Sequence, residues 1–425
     1  PITLKPHNPK MLITEIFTLL ISILGMNRVE CGDQSVNMIS FEGEASGPYF
    51  SGKVLPGGID TQRGGQLSAR SMLEGTDCEG KPCKMFIANN GKFGSPFTSP
   101  SIVTDSKALT ALTSDSLVGQ IDNSDGKLTI RISRVDPPIP DAVRRRAAQC
   151  GTIDTFEYRV AKGKKRARVY LPYGYDKSDK TRKYNVVYLM HGGGDNSKSF
   201  LMPPQDWLPL TNVLDHLIAD GKMDPVIVVT PSFYGDDTNI GANRMNDAIQ
   251  LTRDFHKELS TYLIPQVESA YRTHYTGRGK KAVEQSREHR AFGGFSMGAL
   301  CTWFHLAYGV DEVSRFIPLS GDLWVYDEAG QKQSAEVAAR WLNKQLEASP
   351  YAHDFRVLAY SGTSDIAGKP EQALVRALYK EAPLFGIHNL SLAMRPEGQH
   401  FYGHINEYLY RALPLLWGKT AVAER

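Results

Sequence analysis

The chain has 425 residues, of which 41% are hydrophobic and 22% are charged. This length is enough for two domains that each bury a core, and the composition is that of an ordinary soluble globular protein. The formal net charge of +3 is small for the length, so it excludes a general attraction to nucleic acid or to an anionic membrane surface.

A short apolar run, MLITEIFTLLISILG, lies near the N-terminus at 11–25 and follows Lys5 and Lys10. The run is too short to span a bilayer, and Glu15 interrupts it. These features favour the hydrophobic region of a signal peptide. Residues 1–35 are therefore predicted to be a leader or signal-like segment, and the protein to be secreted or periplasmic. An amphipathic or disordered leader is the alternative.

Residues 36–135 alternate short apolar stretches with turn residues, as in SLVGQIDNSDGKLTIRISRV. This pattern is typical of short antiparallel strands and predicts an all-β barrel or sandwich domain. Cys78 and Cys83 flank the turn-like EGKP and could form a small disulfide. The stretch has no cluster of catalytic residue types, so it is interpreted as an accessory domain. Its GPYFSGKVLPGGIDTQ segment resembles a small β-barrel family of unknown function.

The segment DPPIPDAVRRRAAQCG, at 136–151, breaks the strand pattern and is predicted to be a linker. From 152 to 425, strand-like runs such as YNVVYLM and VIVVTP alternate with longer helical segments. These runs are apolar on both faces, so helices must cover both sides of the sheet. The prediction is a doubly wound, mainly parallel α/β sheet, whose functional groups lie at the carboxyl ends of its strands.

The segment RAFGGFSMGAL places Ser296 between Gly294 and Gly298, where a predicted strand becomes a predicted helix. At such a turn the serine projects its Oγ above the sheet, and the glycines leave room for the tight backbone. The N-terminus of the helix also favours developing negative charge. Ser296 is therefore the predicted nucleophile.

A serine hydroxyl needs a histidine as base, and in this fold the chain order is serine, acid, histidine. His400 lies in RPEGQHFYGH, in the loop after the last predicted strand, and is the predicted base. His404, at the start of the closing helix, is the alternative. His388 comes just before that strand and so lies at the wrong end of the sheet.

The histidine in turn needs a carboxylate that fixes its tautomer. Asp365 follows the strand FRVLAYSG in a loop next to the one that carries His400, and it is the predicted acid. Asp322, after the strand that follows the nucleophile, is the alternative. Either aspartate could instead only cap a turn.

The glycine-rich segment MHGGGDN, at 190–196, leaves the strand YNVVYLM and lets the backbone approach a substrate closely. An oxyanion needs donors that are already in place. The predicted donors are the backbone N–H of Met297 and that of Gly193, with Gly192 as the alternative to Gly193. A phosphate-binding loop is disfavoured because no GK[ST] follows. The scattered cysteines show no zinc-type spacing.

Together, MHGGGDN, FGGFSMGAL, SGTSDIA and GQHFYGH resemble the esterase D-like serine hydrolases, which include feruloyl and acetylxylan esterases of carbohydrate esterase family one. The resemblance covers 155–417 and implies an α/β-hydrolase fold, a triad of Ser296, Asp365 and His400, and an oxyanion hole formed by the backbones of Gly193 and Met297. It also implies that no metal or organic cofactor is needed.

The resemblance further implies hydrolysis, through an acyl-enzyme, of hydroxycinnamoyl esters on plant cell-wall polysaccharide. Trp324 and Trp207 could line the substrate pocket, although core packing is as good an explanation for Trp207. The alternatives are an acetylxylan esterase or another hydrolase of small acyl esters or thioesters. A non-catalytic carbohydrate-binding protein on a hydrolase scaffold is an alternative from another class.

Overall fold

The computed structural model describes residues 11–124, 126–203, 207–235 and 245–418. The described chain forms two compact units that divide between Pro138 and Ile139. None of the described helices combines the length and the apolar character that a membrane crossing requires.

The first unit is all β within its described residues. Its strands are β1 (Leu12–Cys31), β2 (Gln34–Ser46), β3 (Phe50–Val54), β4 (Gly58–Arg63), β5 (Gln66–Asp77), β6 (Pro82–Lys92), β7 (Phe97–Thr104), β8 (Leu117–Asp122) and β9 (Leu128–Asp136). Antiparallel pairings join β1, β2, β4, β5, β6, β7, β8 and β9 in that order, and β9 returns to β1. Strand β3 pairs with both β2 and β5. The ring is therefore a closed barrel and not a sandwich.

The structure corrects the expectation of a separate leader, because Leu12–Cys31 is strand β1 of this barrel. Ile16 and Phe17 are fully buried in the barrel core, and β1 pairs along its length with β2 and β9. A signal-peptide hydrophobic region and a strand that lines a barrel are both rich in apolar residues, so composition alone does not separate them. The barrel domain therefore begins at Leu12 and not at residue 36. Residues 1–10 lie outside the described residues.

Cys78 and Cys83 lie near the turn that joins β5 to β6, and both are free thiols. Cys83 is buried in the barrel core, and Cys78 packs against that core. Burial raises the pKa of the Cys78 thiol to about 11 and also raises that of Cys83. Both thiols are therefore protonated and poorly nucleophilic at neutral pH.

The second unit is built on one sheet. Its strands are β10 (Thr152–Arg159), β11 (Lys164–Leu171), β12 (Asn185–Met190), β13 (Val226–Thr230), β14 (Arg290–Phe295), β15 (Arg315–Leu319), β16 (Arg356–Gly362) and β17 (Leu390–Arg395). Their order across the sheet is β10, β11, β13, β12, β14, β15, β16, β17. The first two strands run antiparallel to their neighbours, and the six strands from β13 to β17 are parallel to one another.

Helices cover this sheet. They are α1 (Leu210–Ala219), α2 (Met245–Glu258), α3 (Ile264–Ala270), α4 (Gly279–Gln285), α5 (Met297–Gly309), α6 (Ala335–Glu347), α7 (Gly368–Glu381) and α8 (Tyr402–Ala412). One group packs in the series α2, α5, α6, α7, and another pairs α1 with α8. Neighbouring residues of a strand point to opposite faces of the sheet, and Val187 and Tyr188 of β12 are both fully buried. Both faces of the sheet are therefore covered.

The predicted linker at 136–151 is shorter than expected. Asp136 is still the last residue of β9, and the chain from Ile139 onward belongs to the second unit. Val143 is buried, and the backbone N–H of Gly151 donates to Asp215 in α1 at 2.8 Å. The prolines end the strand as predicted, but the apolar side chains after them pack on the α/β unit.

Candidate active site

Ser296 stands between β14 and α5 with a positive φ of 58°. Its N–H donates to the carbonyl oxygen of Leu319 at 3.0 Å, which ties the turn to the end of β15. A Cβ on Gly298 would lie 2.1 Å from the Met190 carbonyl oxygen, and one on Gly294 would lie 2.5 Å from the same atom. The two glycines are therefore needed because α5 starts against β12, and this close packing holds the serine in its sparsely populated conformation.

A hydrogen-bonded chain links the serine to a histidine and an aspartate. His400 Nε2 lies 2.9 Å from Ser296 Oγ, and His400 Nδ1 lies 2.7 Å from Asp365 Oδ1. A carboxylate can only accept, so Nδ1–H donates to Asp365 and Nε2 is left to accept the serine proton. The imidazole also packs 4.5 Å, centroid to centroid, from the ring of Phe295. The arrangement can perform nucleophilic acyl transfer.

Asp365 is held as a carboxylate. Its burial acts to raise its pKa, but hydrogen bonds from His400 and from the N–H of Ala367 outweigh this effect and lower the pKa below the ordinary aspartate value. The Ala367 N–H donates at 2.8 Å to the same oxygen that accepts from His400. The side chain has no exposed surface. Asp365 can therefore stabilise an imidazolium on His400 at neutral pH.

The two alternative residues are engaged elsewhere. Asp322 accepts from Trp324 Nε1 at 2.7 Å and from Lys332 Nζ at 2.7 Å. His404 accepts from Arg395 at 3.1 Å, and burial together with the Arg395 charge lowers its pKa. The structure therefore brings neither of them into the hydrogen-bonded chain of Ser296. His388 precedes β17, at the amino end of that strand.

The glycine loop after β12 presents one amide that is not engaged. Gly192 N–H donates to the Tyr402 hydroxyl at 3.0 Å, and Gly194 N–H donates to the Tyr234 hydroxyl at 3.0 Å. Gly193 N–H, which lies between them, donates to no group among the described residues. The loop is thus fixed on both sides of the one amide that is available for an oxyanion, which favours Gly193 over Gly192.

The second predicted donor is at the start of α5. Met297 is the first residue of that helix, so its N–H has no partner within the helix and is directed out of the N-terminus. Met297 also directly follows Ser296, so its amide must lie near an acyl group on the serine oxygen. The positive end of the helix dipole adds to the stabilisation of negative charge there.

Sequence reasoning missed Tyr402 and Asp195. The Tyr402 hydroxyl accepts from Gly192 and donates to Asp195 Oδ2 at 3.1 Å, so it joins the histidine loop to the glycine loop. Burial raises the pKa of the Asp195 carboxyl. The signal was present, because the tyrosine stands two residues after His400 and the aspartate directly follows the three glycines.

Glu371, in the first turn of α7, was also missed. Its side chain is fully buried and accepts from the N–H of Gly321 at 3.2 Å. A Cβ on Gly321 would lie 2.7 Å from the carbonyl oxygen of Ser296, so Glu371 braces the backbone directly behind the nucleophile. Burial raises the pKa of Glu371 well above the ordinary carboxyl value, which favours the protonated, neutral form of this acid.

Two tryptophans were predicted to line a substrate pocket. Trp207 packs edge to face on Phe401 at 4.8 Å between ring centroids, and Phe401 directly follows His400. Trp207 lies in the segment before α1. Trp324 is partly buried against the core of the unit, and Lys332 Nζ lies 4.7 Å from its ring centroid. Trp207 therefore packs on the residue that follows the candidate base, whereas Phe295 is the ring that packs on His400 itself.

Over the residues that the structure describes, no three His, Cys, Asp or Glu side chains converge in the way a metal site requires. The family model named Esterase, described as "Putative esterase", matches residues 160–408. The chain belongs to this esterase family. The predicted resemblance to esterases is therefore confirmed, and the matched range contains all of the residues in the hydrogen-bonded chain.

Known proteins resemble the same part of the chain. Endo-1,4-beta-xylanase Y of Acetivibrio thermocellus is 35% identical over 282 residues, which are 65% of this chain and 24% of that protein. An endo-1,4-beta-xylanase/feruloyl esterase of Xylanibacter ruminicola is 36% identical over 138 residues, which are 32% of this chain and 16% of that protein. This chain therefore spans a quarter or less of these curated relatives.

Among solved structures, a serine-to-alanine variant of the feruloyl esterase module from Clostridium thermocellum, complexed with sinapinate, has a TM-score of 0.56 and 34% identity to this chain. The match covers 65% of this chain and 92% of that module. The similarity is thus to one almost complete esterase module, whereas the xylanases are matched only in part.

Proposed function

We propose that this esterase hydrolyses hydroxycinnamoyl esters, such as feruloyl groups on plant cell-wall polysaccharide, through an acyl-enzyme on Ser296. The observation that carries the proposal is the chain of hydrogen bonds from Ser296 Oγ through His400 to Asp365. The 34% identity to a feruloyl esterase module that was solved with sinapinate supports an aromatic acyl group.

The first half of the proposed reaction forms the acyl-enzyme. His400 Nε2 takes the proton of Ser296 Oγ as that oxygen attacks the ester carbonyl carbon. The N–H groups of Gly193 and Met297 stabilise the resulting oxyanion. His400 then gives its proton to the oxygen of the leaving sugar alcohol, and the feruloyl group remains on Ser296.

The second half of the reaction releases the acid. A water molecule gives a proton to His400 Nε2 and attacks the acyl carbonyl carbon. The tetrahedral intermediate collapses, the proton returns to Ser296 Oγ, and the hydroxycinnamate departs. Asp365 remains ionised throughout, because hydrogen bonds hold its pKa below the ordinary value.

An aromatic acyl group also fits the surroundings of the base. Trp207, Phe401 and Phe295 place aromatic rings around the loop that carries His400. Offset or edge-to-face contacts with a planar ring contribute about 0.5–1.5 kcal/mol beyond the burial of area. An acetyl group would gain nothing from these rings, so they favour the hydroxycinnamoyl ester over the small-acyl alternative.

The location of the substrate supports action outside the cytoplasm. Cell-wall polysaccharide is too large to cross a cell membrane, so an enzyme that acts on it must be secreted, whereas a periplasmic enzyme would meet only fragments. Secretion is therefore part of the same proposal, because it follows only if the natural substrate is an ester on cell-wall polysaccharide.

Turnover of methyl ferulate and of p-nitrophenyl acetate by the wild type and by Ser296→Ala tests the proposal. We expect the wild type to hydrolyse both esters and Ser296→Ala to lose at least about 10³-fold in kcat on each. Ser178→Ala, at an exposed serine in a surface turn, is the control and keeps the wild-type rate. Equal rates in wild type and Ser296→Ala would refute the nucleophile. If the wild type hydrolysed p-nitrophenyl acetate but not methyl ferulate, the substrate would be a small acyl ester and not a feruloyl ester.

A further inference from the structure

Ser320, which directly follows β15, has a strained backbone. Three non-glycine residues of the described chain have a positive φ, and they are Ser296, Ser320 and Glu397. The φ of Ser320 is 55°, a value that glycine adopts freely and that other residues adopt at a cost in free energy. Strained residues of this kind cluster at functional sites. The group that a glycine at this position would lack is the hydroxyl.

Backbone hydrogen bonds hold Ser320 next to the nucleophile. The residue before it, Leu319, accepts from the Ser296 N–H through its carbonyl oxygen at 3.0 Å. The N–H of Ser320 itself donates to the carbonyl oxygen of Tyr360 in β16 at 2.8 Å. Ser320 is therefore tied both to the turn that carries the nucleophile and to the strand that leads to the Asp365 loop.

The Ser320 hydroxyl is buried and lacks a partner. Ser320 is fully buried, and its Oγ has no hydrogen-bond partner among the described residues. A buried hydroxyl without an acceptor costs free energy, so an acceptor is expected close by. Asp365 Oδ2 is such an acceptor, because it is also buried and also has no partner within the described chain. One atom can donate a proton and the other can only accept one.

The Ser320 and Asp365 side chains are neighbours. Burial acts to raise the pKa of Asp365, and the Ser320 hydroxyl is one of the groups that lower it, together with His400 and Ala367. Asp365 Oδ1 already accepts from His400 at 2.7 Å and from the Ala367 N–H at 2.8 Å, which leaves Oδ2 for the hydroxyl. Catalytic hydrogen bonds are often loose in the free enzyme and tighten in the transition-state complex. A small rotation of the Ser320 side chain completes this bond.

A donor on Oδ2 would fix the plane of the carboxylate. The terminal torsion of an aspartate is broad, so donors on Oδ1 alone leave the group free to turn about its Cβ–Cγ bond. A donor on the other oxygen removes that freedom and keeps Oδ1 on His400 Nδ1. It also favours the ionised form of Asp365, which the imidazolium on His400 requires.

We propose that Ser320 is a positioning residue, whose hydroxyl donates to Asp365 Oδ2 and thereby holds Asp365 against His400. The proposal rests on the proposed function, because Ser320 acts through the triad. It does not depend on which acyl group the enzyme accepts, so a simple acetate ester is a sufficient substrate for the test.

Steady-state hydrolysis of p-nitrophenyl acetate by Ser320→Ala and Ser320→Gly tests the proposal. Both variants lack the hydroxyl, but only the glycine adopts a positive φ without strain. We expect both to lower kcat about 10- to 100-fold and to leave KM nearly unchanged. Ser314→Ala is the matched control, because it removes a buried hydroxyl just before β15 that donates to the Arg287 carbonyl oxygen at 3.3 Å. It should leave kcat and KM unchanged.

A double-mutant cycle separates positioning from a general structural effect. In the Asp365→Asn background, Ser320→Ala should lower kcat further by no more than about twofold, because the residue through which Ser320 acts is already lost. Circular dichroism checks that each variant is folded. The proposal is wrong if folded Ser320→Ala or Ser320→Gly keeps the wild-type kcat, or if Ser320→Ala lowers kcat by the same factor in both backgrounds. A wild-type kcat in Asp365→Asn would refute the triad itself, and the proposal with it.

Discussion

His400 can take the proton of Ser296 only while its other ring nitrogen carries one, and the carboxylate of Asp365 holds that proton at 2.7 Å. The sequence already narrowed the acid to two aspartates and the base to two histidines. It did so because a strand-to-helix serine requires partners later in the chain, at the carboxyl ends of strands. It favoured Asp365 over Asp322 because the Asp365 loop adjoins the one that carries His400, but both aspartates follow strands, and only the hydrogen bond to His400 distinguishes them directly.

Asp365→Asn is expected to lower kcat about 10⁴-fold, because an amide in place of the carboxylate favours the wrong tautomer of His400. Steady-state hydrolysis of methyl ferulate measures the effect. Asp322→Asn is the matched control and should keep kcat within about tenfold, since Asp322 binds Trp324 and Lys332. A larger loss of kcat in Asp322→Asn than in Asp365→Asn would mean that Asp322, and not Asp365, orients His400.

Tyr402→Phe tests how the oxyanion loop is held. The change leaves the Gly192 N–H without its acceptor and frees Asp195 from its donor, so the Gly193 amide moves out of position. We expect kcat to fall by about 10- to 100-fold with KM nearly unchanged, less than the loss of an oxyanion donor itself. Tyr410 lies on the same helix as Tyr402, and its hydroxyl accepts from Lys222. Tyr410→Phe removes that hydroxyl and should leave both kcat and KM unchanged. A rise in KM alone would show that Tyr402 serves substrate binding.

At the scale of elements, α5 begins against β12 so closely that only glycine fits at positions 294 and 298. This is why the local pattern was a reliable guide: the spacing of small residues is a requirement of the packing. The same reasoning was wrong at 11–25, where an apolar run was interpreted as a leader. That run is part of β1, and one of the strands that pair with β1 is β9, which is more than 90 residues away in the chain. Such long-range pairing leaves no local signal in the sequence of β1.

Glu371 gives α7 a pH-dependent role in stability. Its raised pKa means that the folded protein keeps a proton that the unfolded chain releases above about pH 4.3. The stability that this neutral acid provides is therefore complete below that pH and is lost as the pH rises toward the folded pKa. Glu371→Gln keeps an acceptor for the Gly321 N–H but has no proton to lose.

We therefore expect the Tm of Glu371→Gln, relative to that of the wild type, to rise between about pH 5 and about pH 8. Calorimetric scans at several pH values measure this difference. Glu381→Gln, at the end of the same helix and ion-paired with Arg340, is the control and should show no comparable trend. A Tm difference for Glu371→Gln that does not change with pH would mean that Glu371 is ionised in the folded protein.

At the scale of the whole molecule, the two-domain organisation and the doubly wound parallel sheet follow from periodicity and composition, and the predicted esterase family is confirmed by the family match over 160–408. The barrel was predicted only as a barrel or a sandwich, because alternation within strands does not reveal whether a sheet closes. The central claim concerns Ser296 of the esterase unit.

Acid-quenched mass spectrometry of the enzyme mixed with p-nitrophenyl ferulate tests that claim most directly. The account predicts one feruloyl group, located on the peptide that contains Ser296, in the wild type and none in Ser296→Ala. A feruloyl group on another residue, or equal labelling of the wild type and Ser296→Ala, would contradict it.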